Sequence, residues 1–315
     1  MSSRIQADIE NLQQQVAALK EKLNAIILVH NYQIPEIQQI ADIRGDSLEL
    51  SRVAADTDAD VIVFCGVLFM AETAAILSPD KKVLLPVKDA GCPMADMITV
   101  DGVRKLRAEH PGAPVVCYVN SSAEVKAESD VCCTSANSIE VVNSLDEDRV
   151  IFIPDKHLAR YAAGHTDKEI IAYQGFCPTH ARLSVEDVIK AKKEHPDAMF
   201  VAHPECRWDV LQLADHVTST SGIFRYAQES SALEFIIGTE TGMLYMLHQQ
   251  NPDKSFYPAS DLMTCPNMKM NTLEHVIEAM EDMKFLITVE ENVRERARKC
   301  LDKMLAIGVQ AAQSA

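Results

Sequence analysis

A Cys-Pro dipeptide that occurs three times at nearly equal spacing is the feature that most constrains the fold of this chain. The dipeptides are Cys92-Pro93, Cys177-Pro178 and Cys265-Pro266. One such interval could arise by chance, but two successive intervals of nearly the same length suggest three copies of one unit. Other patterns should then recur at the same intervals.

A capped helical pattern does recur at those intervals. The segment "TVDGVRKLRAEHP" (99–111) precedes "SVEDVIKAKKEHP" (184–196) by the interval that separates Cys92 from Cys177. Each begins with a hydroxyl residue that can cap a helix N-terminus, continues with an amphipathic stretch and ends in Glu-His-Pro. A third pattern, "TLEHVIEAM", begins at Thr272, which follows Ser184 by the second Cys-Pro interval. Two independent patterns with the same intervals predict a triplicated unit.

Each copy of the unit also contains two apolar runs typical of buried strands, separated by helical stretches. The first runs end in polar residues and cover 26–32, 115–120 and 199–205, and the second runs cover 61–67, 150–156 and 235–241. Apolar strands that alternate with amphipathic helices indicate a parallel sheet with helices on both faces. We therefore predict an α/β fold of three pseudo-symmetric three-layer αβα domains, each with a small parallel sheet. Their predicted bounds are 1–92 with 266–315, 93–177, and 178–265.

The two ends of the chain are predicted to add helices to the first domain. An apolar stripe at alternating spacings of four and three runs from Ile5 through Ile9, Leu12, Val16 and Leu19 to Leu23. Such a stripe fits packing on the chain's own domain, with a coiled-coil dimer as the alternative. Residues 271–309 are largely helical in pattern and are expected to return to the first domain.

The charge and hydropathy of the chain exclude several functional classes. The formal net charge is −16 and the isoelectric point is about 5.0, which argues against a nucleic-acid groove and against binding to an anionic membrane surface. No apolar run is long enough to span a bilayer, and the N-terminus lacks the apolar core of a secretory signal. A cytoplasmic protein without nucleic-acid or membrane partners is the expectation.

The nine cysteines divide into two groups by their surroundings in the sequence. Cys65 and Cys117 lie in strand-like runs and Cys300 lies in a helical stretch, so we expect these three to be buried; the adjacent pair Cys132-Cys133 and Cys206 are expected to be structural as well. The cysteines of the Cys-Pro dipeptides are the candidate ligands. Three αβα domains arranged as a triangle could bring three such loops to one point, where three thiolates suit an iron–sulfur cluster with one open iron, or zinc.

Polar side chains at the predicted strand ends and helix starts supply a candidate binding site. The strand ends carry His30, Asn31, Tyr32, Tyr118, Asn120, His203 and Glu205, and the helix starts carry Ser47, Ser135, Ser219 and Thr220. Ligands of parallel α/β sheets bind at the carboxyl ends of the strands, and hydroxyls at helix N-termini bind carboxylates and phosphates. The pattern predicts a small substrate with several negative charges.

The chain closely resembles the quinolinate synthases over nearly its whole length. The motifs that carry the resemblance are "HNYQIPEIQQIADIRGDSLELS", "GVLFMAETAAIL", "YVNSSAEVKAESD", "TSANS", "HPEC", "TSTSG" and "MTCPNMKMNTL". The resemblance implies a triangular molecule of three related αβα domains with a 4Fe–4S cluster at its centre. It implies that Cys92, Cys177 and Cys265 hold the cluster and that its free iron binds the substrate.

The resemblance also implies a reaction and roles for individual residues. The implied enzyme, of the transferase class, condenses iminoaspartate with dihydroxyacetone phosphate to give quinolinate, phosphate and water in NAD biosynthesis. L-aspartate oxidase or aspartate dehydrogenase would supply the iminoaspartate. Glu205 and Tyr32 match the acid–base groups, with His30 orienting the triose. Substrate contacts are implied for His30, Ser47, Met70, Tyr118, Asn120, Ser135, His203, Glu205, Ser219 and Thr220.

Two other functions are compatible with the same residues. An iron–sulfur hydro-lyase acting on a hydroxy acid would share the open iron, but the many hydroxyls suggest two substrates rather than one. A non-enzymatic sensor or scaffold would hold zinc with no open coordination position. A substrate panel separates the two enzymes, and iron and sulfide analysis separates both from the scaffold.

Overall fold

The computed structural model describes residues 3–313, with side chains for residues 6–307. The strands are β1 (Ala25–His30), β2 (Ile43–Gly45), β3 (Val61–Cys65), β4 (Lys82–Leu84), β5 (Val115–Tyr118), β6 (Val131–Cys133), β7 (Arg149–Ile153), β8 (Glu169–Ala172), β9 (Met199–Ala202), β10 (His216–Val217), β11 (Glu234–Gly238), β12 (Ser255–Pro258) and β13 (Leu286–Ile287). The helices are α1 (Ser3–Leu23), α2 (Pro35–Gln39), α3 (Ser47–Asp56), α4 (Leu68–Leu77), α5 (Val100–Glu109), α6 (Ala123–Ala127), α7 (Ser138–Asn143), α8 (Lys156–Ala163), α9 (Pro178–Ala181), α10 (Val185–Glu194), α11 (Trp208–Leu211), α12 (Thr220–Glu229), α13 (Met243–Gln250), α14 (Leu273–Asp282) and α15 (Glu291–Gln313).

The strands form three small sheets with one shared topology. The orders are β2-β1-β3-β4 with β13 added beside β4, then β6-β5-β7-β8, then β10-β9-β11-β12. All pairs are parallel except β13 with β4. The predicted α/β class with three small parallel sheets is therefore confirmed, whereas the triangular arrangement stays a prediction.

The two central strands of each sheet were predicted, and the two outer strands were missed. The predicted runs correspond to β1 and β3, to β5 and β7, and to β9 and β11. The outer strands have two to four residues each, too short to show a pattern of their own. They form because a neighbouring strand offers its free edge, which is a tertiary effect.

The three predicted helix caps are present. The hydroxyl of Thr99 accepts the backbone N–H of Gly102 at the start of α5, and Ser184 forms a reciprocal capping box with Asp187 at the start of α10. Thr272 caps α14 through the N–H of His275. These caps satisfy N–H groups that have no partner within the helix.

A repeated aspartate, not predicted from the sequence, joins the amino end of each sheet to a helix. In each sheet one carboxylate accepts a backbone N–H of a central strand and pairs with a basic residue of the preceding helix. The N–H donors are Ile27, Val115 and Phe200, at 2.9, 2.7 and 2.7 Å from Asp42, Asp130 and Asp215. The paired bases are Lys20, Arg107 and Lys192. The intervals between the three aspartates equal those between His30, Tyr118 and His203. The same contact therefore occurs once in each repeat.

The chain separates into two compact units, residues 1–92 with 266–294, and residues 93–265 with 295–315. The first unit contains the sheet of β1 to β4, and its core includes Val16 of α1 and Val276 of α14. Ile9, Leu12, Leu19 and Leu23 pack against that core, so the apolar stripe of α1 faces its own unit; the side chain of Ile5 lies outside the described residues.

The second unit contains the other two sheets and most of α15. Phe200 and Ile236 belong to the core beside the third sheet. The α15 helix lies along the second sheet, because Cys300 Sγ is 3.1 Å from Cys132 Sγ in β6 and Lys303 donates to the backbone carbonyl of Asp130. Residues 266–315 were assigned to the first domain, whereas these contacts join α15 to the second sheet. The division into three domains stays a prediction.

Glu128 links α5 and α15 within the second unit, and we expect this contact to make stability depend on pH. Arg296 and Arg104 donate to its carboxylate at 2.9 and 3.0 Å and lower the pKa of Glu128 below its ordinary value of 4.5. A lowered pKa favours the folded state above pH 4.5, and this contribution disappears as the pH falls through the folded-state value.

The variant Glu128→Gln is therefore expected to unfold about 2–4 °C below the wild type at pH 7, since each ion pair contributes about 1 kcal/mol or less. The difference should shrink as the pH falls below 4.5. Glu109→Gln, on the exposed face of α5, is the control and should match the wild type at both pH values. A difference that persists at low pH would contradict the ionic origin.

Within residues 3–313, no helix has both the length and the apolar character needed to cross a membrane.

Candidate active site and metal centre

The predicted strand-end residues occupy equivalent places in the three sheets. The spacing of His30, Tyr118 and His203 along the chain equals that of Tyr32, Asn120 and Glu205. Each pair of these residues lies at or just after the strand at which the strand order of its sheet reverses, that is β1, β5 or β9. Such a reversal leaves a crevice at the carboxyl ends of the strands, where ligands of α/β sheets bind.

In the first unit, His30 and Tyr32 form a compact pair at the end of β1. The Nδ1 atom of His30 accepts the backbone N–H of Tyr32 at 3.2 Å, and the two rings meet edge-to-face at 4.5 Å. Lys269 donates to the backbone carbonyl of Tyr32. The pair is held by contacts to the backbone as well as by its rings, so its side chains have defined directions.

Ser47 and Met70 belong to the same unit as His30. Ser47 is the first residue of α3, which Asp46 caps through a capping box with Glu49. The end of β1 and the end of β2 are joined by the backbone N–H of Asn31, which donates to Gly45. Ser47 therefore begins its helix at the same edge of the sheet as His30, and Met70 is buried in α4.

In the second unit, Glu205 is the centre of a buried group of polar side chains. Its Oε2 atom lies 2.7 Å from His180 Nδ1 and 3.8 Å from His203 Nδ1, and both histidines are buried and stack at 4.7 Å. The Nε2 atom of His203 lies 3.1 Å from the hydroxyl of Ser135. The structure thus brings together Glu205, His203 and Ser135.

The electrostatics of this group keep Glu205 ionised. Burial raises the pKa of Glu205, but the charge and hydrogen bond of His180, followed by His203 and a hydrogen bond from Tyr118, outweigh it and lower the pKa below its ordinary value. The other oxygen, Oε1, is buried without a hydrogen-bond partner among the described residues. Burying a carboxylate oxygen without a hydrogen bond is energetically unfavourable. This oxygen can therefore accept a proton or a hydrogen bond from a bound ligand.

The remaining predicted contact residues lie at the carboxyl ends of strands in the second and third sheets. Asn120 follows β5, and its Oδ1 atom is buried without a described hydrogen-bond partner. Ser219 caps α12 through the N–H of Gly222, and Thr220 is the first residue of that helix. The backbone N–H of Thr218 donates to Ala202, which places this helix start at the same sheet edge as His203.

Burial separates the three Cys-Pro cysteines from the other six. Cys65, Cys117, Cys132, Cys133, Cys206 and Cys300 are all at most 1% exposed, whereas Cys92, Cys177 and Cys265 are partly exposed. Burial raises the pKa of each of the six thiols, to about 12 for Cys65. The six are therefore neutral thiols at pH 7, as expected for structural cysteines.

The loop that carries Cys177 is held from two sides. Asp155 accepts the backbone N–H of Cys177 at 3.1 Å, and Gly175 lies so close to the chain that a β-carbon there would meet the Pro154 carbonyl oxygen at 2.6 Å. His180 follows one turn later, with Nδ1 3.2 Å from Cys177 Sγ and Nε2 2.8 Å from the Thr239 hydroxyl.

Cys177, His180 and Glu205 offer ligand atoms that lie within 4.8 Å of one another. A sulfur, an imidazole nitrogen and a carboxylate oxygen are all donors that bind transition metals. Cys265 sits in a comparable loop, with its backbone N–H donating to Glu240 at 3.0 Å. Partly exposed cysteines in backbone-held loops fit an iron–sulfur ligand set, since cluster ligands need free sulfur atoms in fixed positions.

Four residues of this arrangement are not predicted from the sequence: Asp155, His180, Thr239 and Glu240. Asp155 and Glu240 are separated by one repeat interval, so the repeat could have revealed them. No signal marks Thr239. His180 has no counterpart in the other loops, where Ala95 and Met268 stand three residues after the cysteine; only its nearness to Cys177 in "CPTH" could have indicated it.

Comparison with known proteins places this arrangement in a family. A model of the Quinolinate synthetase A protein family matches residues 14–306. Quinolinate synthase 1 of Methanosarcina acetivorans is 58% identical over 95% of this chain and 98% of its own length, and quinolinate synthase of Methanoregula boonei is 58% identical over 95% and 99%. Quinolinate synthase of Geobacter metallireducens is 54% identical over 96% and 99%. The chain therefore belongs to the Quinolinate synthetase A protein family.

Proposed function

We propose that this protein is a quinolinate synthase of NAD biosynthesis that condenses iminoaspartate with dihydroxyacetone phosphate and releases quinolinate, phosphate and water. Family membership and relatives of that name at 54% to 58% identity support the activity. The observation that carries the proposal is that only the three Cys-Pro cysteines, of nine, keep partly exposed sulfur-bearing side chains.

In this proposal Cys92, Cys177 and Cys265 hold a 4Fe–4S cluster at the centre of a triangle of three domains. When bound, the cluster supplies a Lewis acid at its open iron for an oxygen of the substrate. The backbone contacts of Asp155 and Glu240 support this assignment for Cys177 and Cys265. The chemistry of the donor set agrees, because the six other thiols are buried and neutral.

Glu205 is the proposed general base. It is an ionised, buried carboxylate with one oxygen free to accept a proton, and the condensation requires protons to be removed from substrate carbon. His180 holds the other oxygen at 2.7 Å and therefore fixes the direction of the carboxylate. Tyr32 is the proposed second acid–base group, with His30 orienting the triose.

The remaining residues are proposed to bind the charged ends of the substrates. Iminoaspartate has two carboxylates and the triose has a phosphate, which hydroxyl, amide and imidazole groups at helix starts can bind. The proposed contacts are His30, Ser47, Met70, Tyr118, Asn120, Ser135, His203, Ser219 and Thr220. The N-cap position of Ser219 and the contact between Ser135 and His203 support these assignments.

The proposal extends to the setting of the enzyme. L-aspartate oxidase or aspartate dehydrogenase is the proposed source of iminoaspartate, because an imine hydrolyses in water and needs a nearby supply. The net charge of −16 supports a protein without nucleic-acid partners. A cytoplasmic location and the transferase class belong to the same proposal.

Anaerobically purified protein tests the proposed function directly. We expect about four iron and four sulfide per chain, a broad visible absorption that air bleaches, and quinolinate formation from the two substrates. Intact cluster without turnover would refute the synthase, and turnover of a hydroxy acid alone would favour a hydro-lyase. A single zinc without sulfide, at a group such as Cys177, His180 and Glu205, would refute the cluster.

A further inference from the structure

Two buried carboxyl side chains accept hydrogen bonds from the backbone N–H groups of two proposed cluster ligands. Asp155 Oδ2 accepts the backbone N–H of Cys177 at 3.1 Å, and Glu240 Oε1 accepts that of Cys265 at 3.0 Å. Both side chains are completely buried. Burial of a carboxylate is unfavourable unless it gains hydrogen bonds, so the chain retains two costly groups at these places.

The second oxygen of each carboxylate also accepts backbone N–H groups. Asp155 Oδ1 accepts those of His157 and Leu158, at 2.7 and 2.9 Å, and thereby caps α8. Glu240 Oε2 accepts that of Gly242 at 2.7 Å, just before α13. Each carboxylate therefore joins a cysteine loop to the start of a helix, and it uses both oxygens as acceptors. Burial, followed by the charge of Glu205, raises the pKa of Asp155, and the N–H donors of Leu158, His157 and Cys177 oppose that shift. An amide in either place would replace one of the two acceptor oxygens with a donor.

The internal repeat shows that one of the three sheets has no carboxylate at the corresponding place. Asp155 and Glu240 occupy the same place in their sheets, two residues after β7 and β11, and are separated by one repeat interval. The corresponding residue of the first sheet is Val67, two residues after β3, and its side chain makes no cap hydrogen bond. The first sheet has the same strand order without a carboxylate there. In the second and third sheets the two acids contact the loops of Cys177 and Cys265 in addition to the helix starts.

We propose that Asp155 and Glu240 are positioning residues for the ligands Cys177 and Cys265, and that they lower the reduction potential of the bound cluster. The inference rests on the proposed function. The backbone N–H groups of Cys177 and Cys265 donate to carboxyl oxygens, so these hydrogen bonds would not be made to sulfur atoms of a bound cluster. Hydrogen bonds to those sulfur atoms tune the potential, and by drawing electron density from sulfur they raise it. Outer hydrogen bonds also orient the ligands and retain the metal.

The variants Asp155→Asn and Glu240→Gln test the proposal in anaerobically purified holoprotein. Each replaces one acceptor oxygen with a donor at nearly unchanged volume. We expect iron loss to a chelator to become about ten-fold faster or more in each variant, and the midpoint potential, followed by electron paramagnetic resonance, to shift to a more positive value.

Asp215→Asn is the matched control, because Asp215 also accepts a backbone N–H, at 2.7 Å from Phe200, but at the amino end of the third sheet. It should keep the wild-type potential and rate of iron loss. Circular dichroism verifies folding, and if one variant does not fold the other decides, because the two acids belong to different sheets. Wild-type potential and iron retention in the folded variants would overturn the proposal, whereas a wild type without iron and sulfide would refute the cluster itself.

Discussion

Replacing Cys177 by alanine is expected to abolish quinolinate formation and to reduce the iron and sulfide content to roughly a tenth of the wild-type value or less. The loss follows because Cys177 is one of three proposed cluster ligands, and the six cysteines outside that set are buried and cannot replace it. The same result is expected for Cys92→Ala and Cys265→Ala. Iron and sulfide analysis, visible absorption and turnover measure the effect.

Cys206→Ala is the matched control for this prediction. Cys206 is completely buried and its thiol donates to the backbone carbonyl of Gly238 at 3.3 Å, so its loss should cost about 1 kcal/mol of stability and leave iron and activity intact. Retention of iron and sulfide in any of the three ligand variants, or their loss in Cys206→Ala, would contradict the assignment of the ligands.

Replacing Glu205 by glutamine is expected to lower kcat by about 10²- to 10⁴-fold, the usual contribution of a general base. The amide keeps the shape of the side chain but cannot accept a proton at pH 7. Because Glu205 is outside the proposed cysteine ligands, iron and sulfide should stay at the wild-type content. Steady-state kinetics and cluster analysis of the same preparation separate a chemical defect from loss of the cluster.

Asp209→Asn is the control for Glu205→Gln. Asp209 belongs to α11, which follows the loop of Glu205, and its side chain is about half exposed and pairs with Arg207. Its variant should therefore match the wild type in both kcat and iron content. An activity of Glu205→Gln within about two- or three-fold of the wild type would exclude Glu205 as the base. Loss of iron in that variant would instead assign Glu205 to the metal centre, where its group with Cys177 and His180 lies.

The candidate site was predictable where its residues repeat along the chain. His30, Tyr118 and His203 each end or follow an apolar run, and their intervals match those of the three Cys-Pro loops to within a few residues. The caps at Thr99, Ser184 and Thr272 were predictable as well, because an N-cap hydroxyl and the N–H that donates to it are only three residues apart. Patterns of this range can be recognised without a structure.

The partners of the site residues were not predictable, because they are distant in sequence. His180 and Glu205 belong to loops after different strands, as do His180 and Thr239, and Asp155 is likewise far along the chain from Cys177. The pairs of His180 have no periodic signal, and the repeat that relates Asp155 to Glu240 does not show which backbone N–H either residue accepts. Asp155 and Cys177 meet because the parallel strands β7 and β8 bring their carboxyl ends to one edge of the second sheet. His180, in the loop after β8, meets Glu205 and Thr239, in the loops after β9 and β11, because the second and third sheets belong to one compact unit.

Sequence alone thus determined the α/β class, the existence of three similar sheets and the separation of three cysteines from six, since periodicity, caps and repeats are local or additive along the chain. Tertiary structure alone decided which strands lie at the sheet edges, that Glu205 lies 2.7 Å from His180, and that buried acids hold the loops of Cys177 and Cys265. The physical reason is that hydrogen bonds and charge interactions depend on distance in space, and only the packed sheets bring those groups within about 3 to 4 Å of each other.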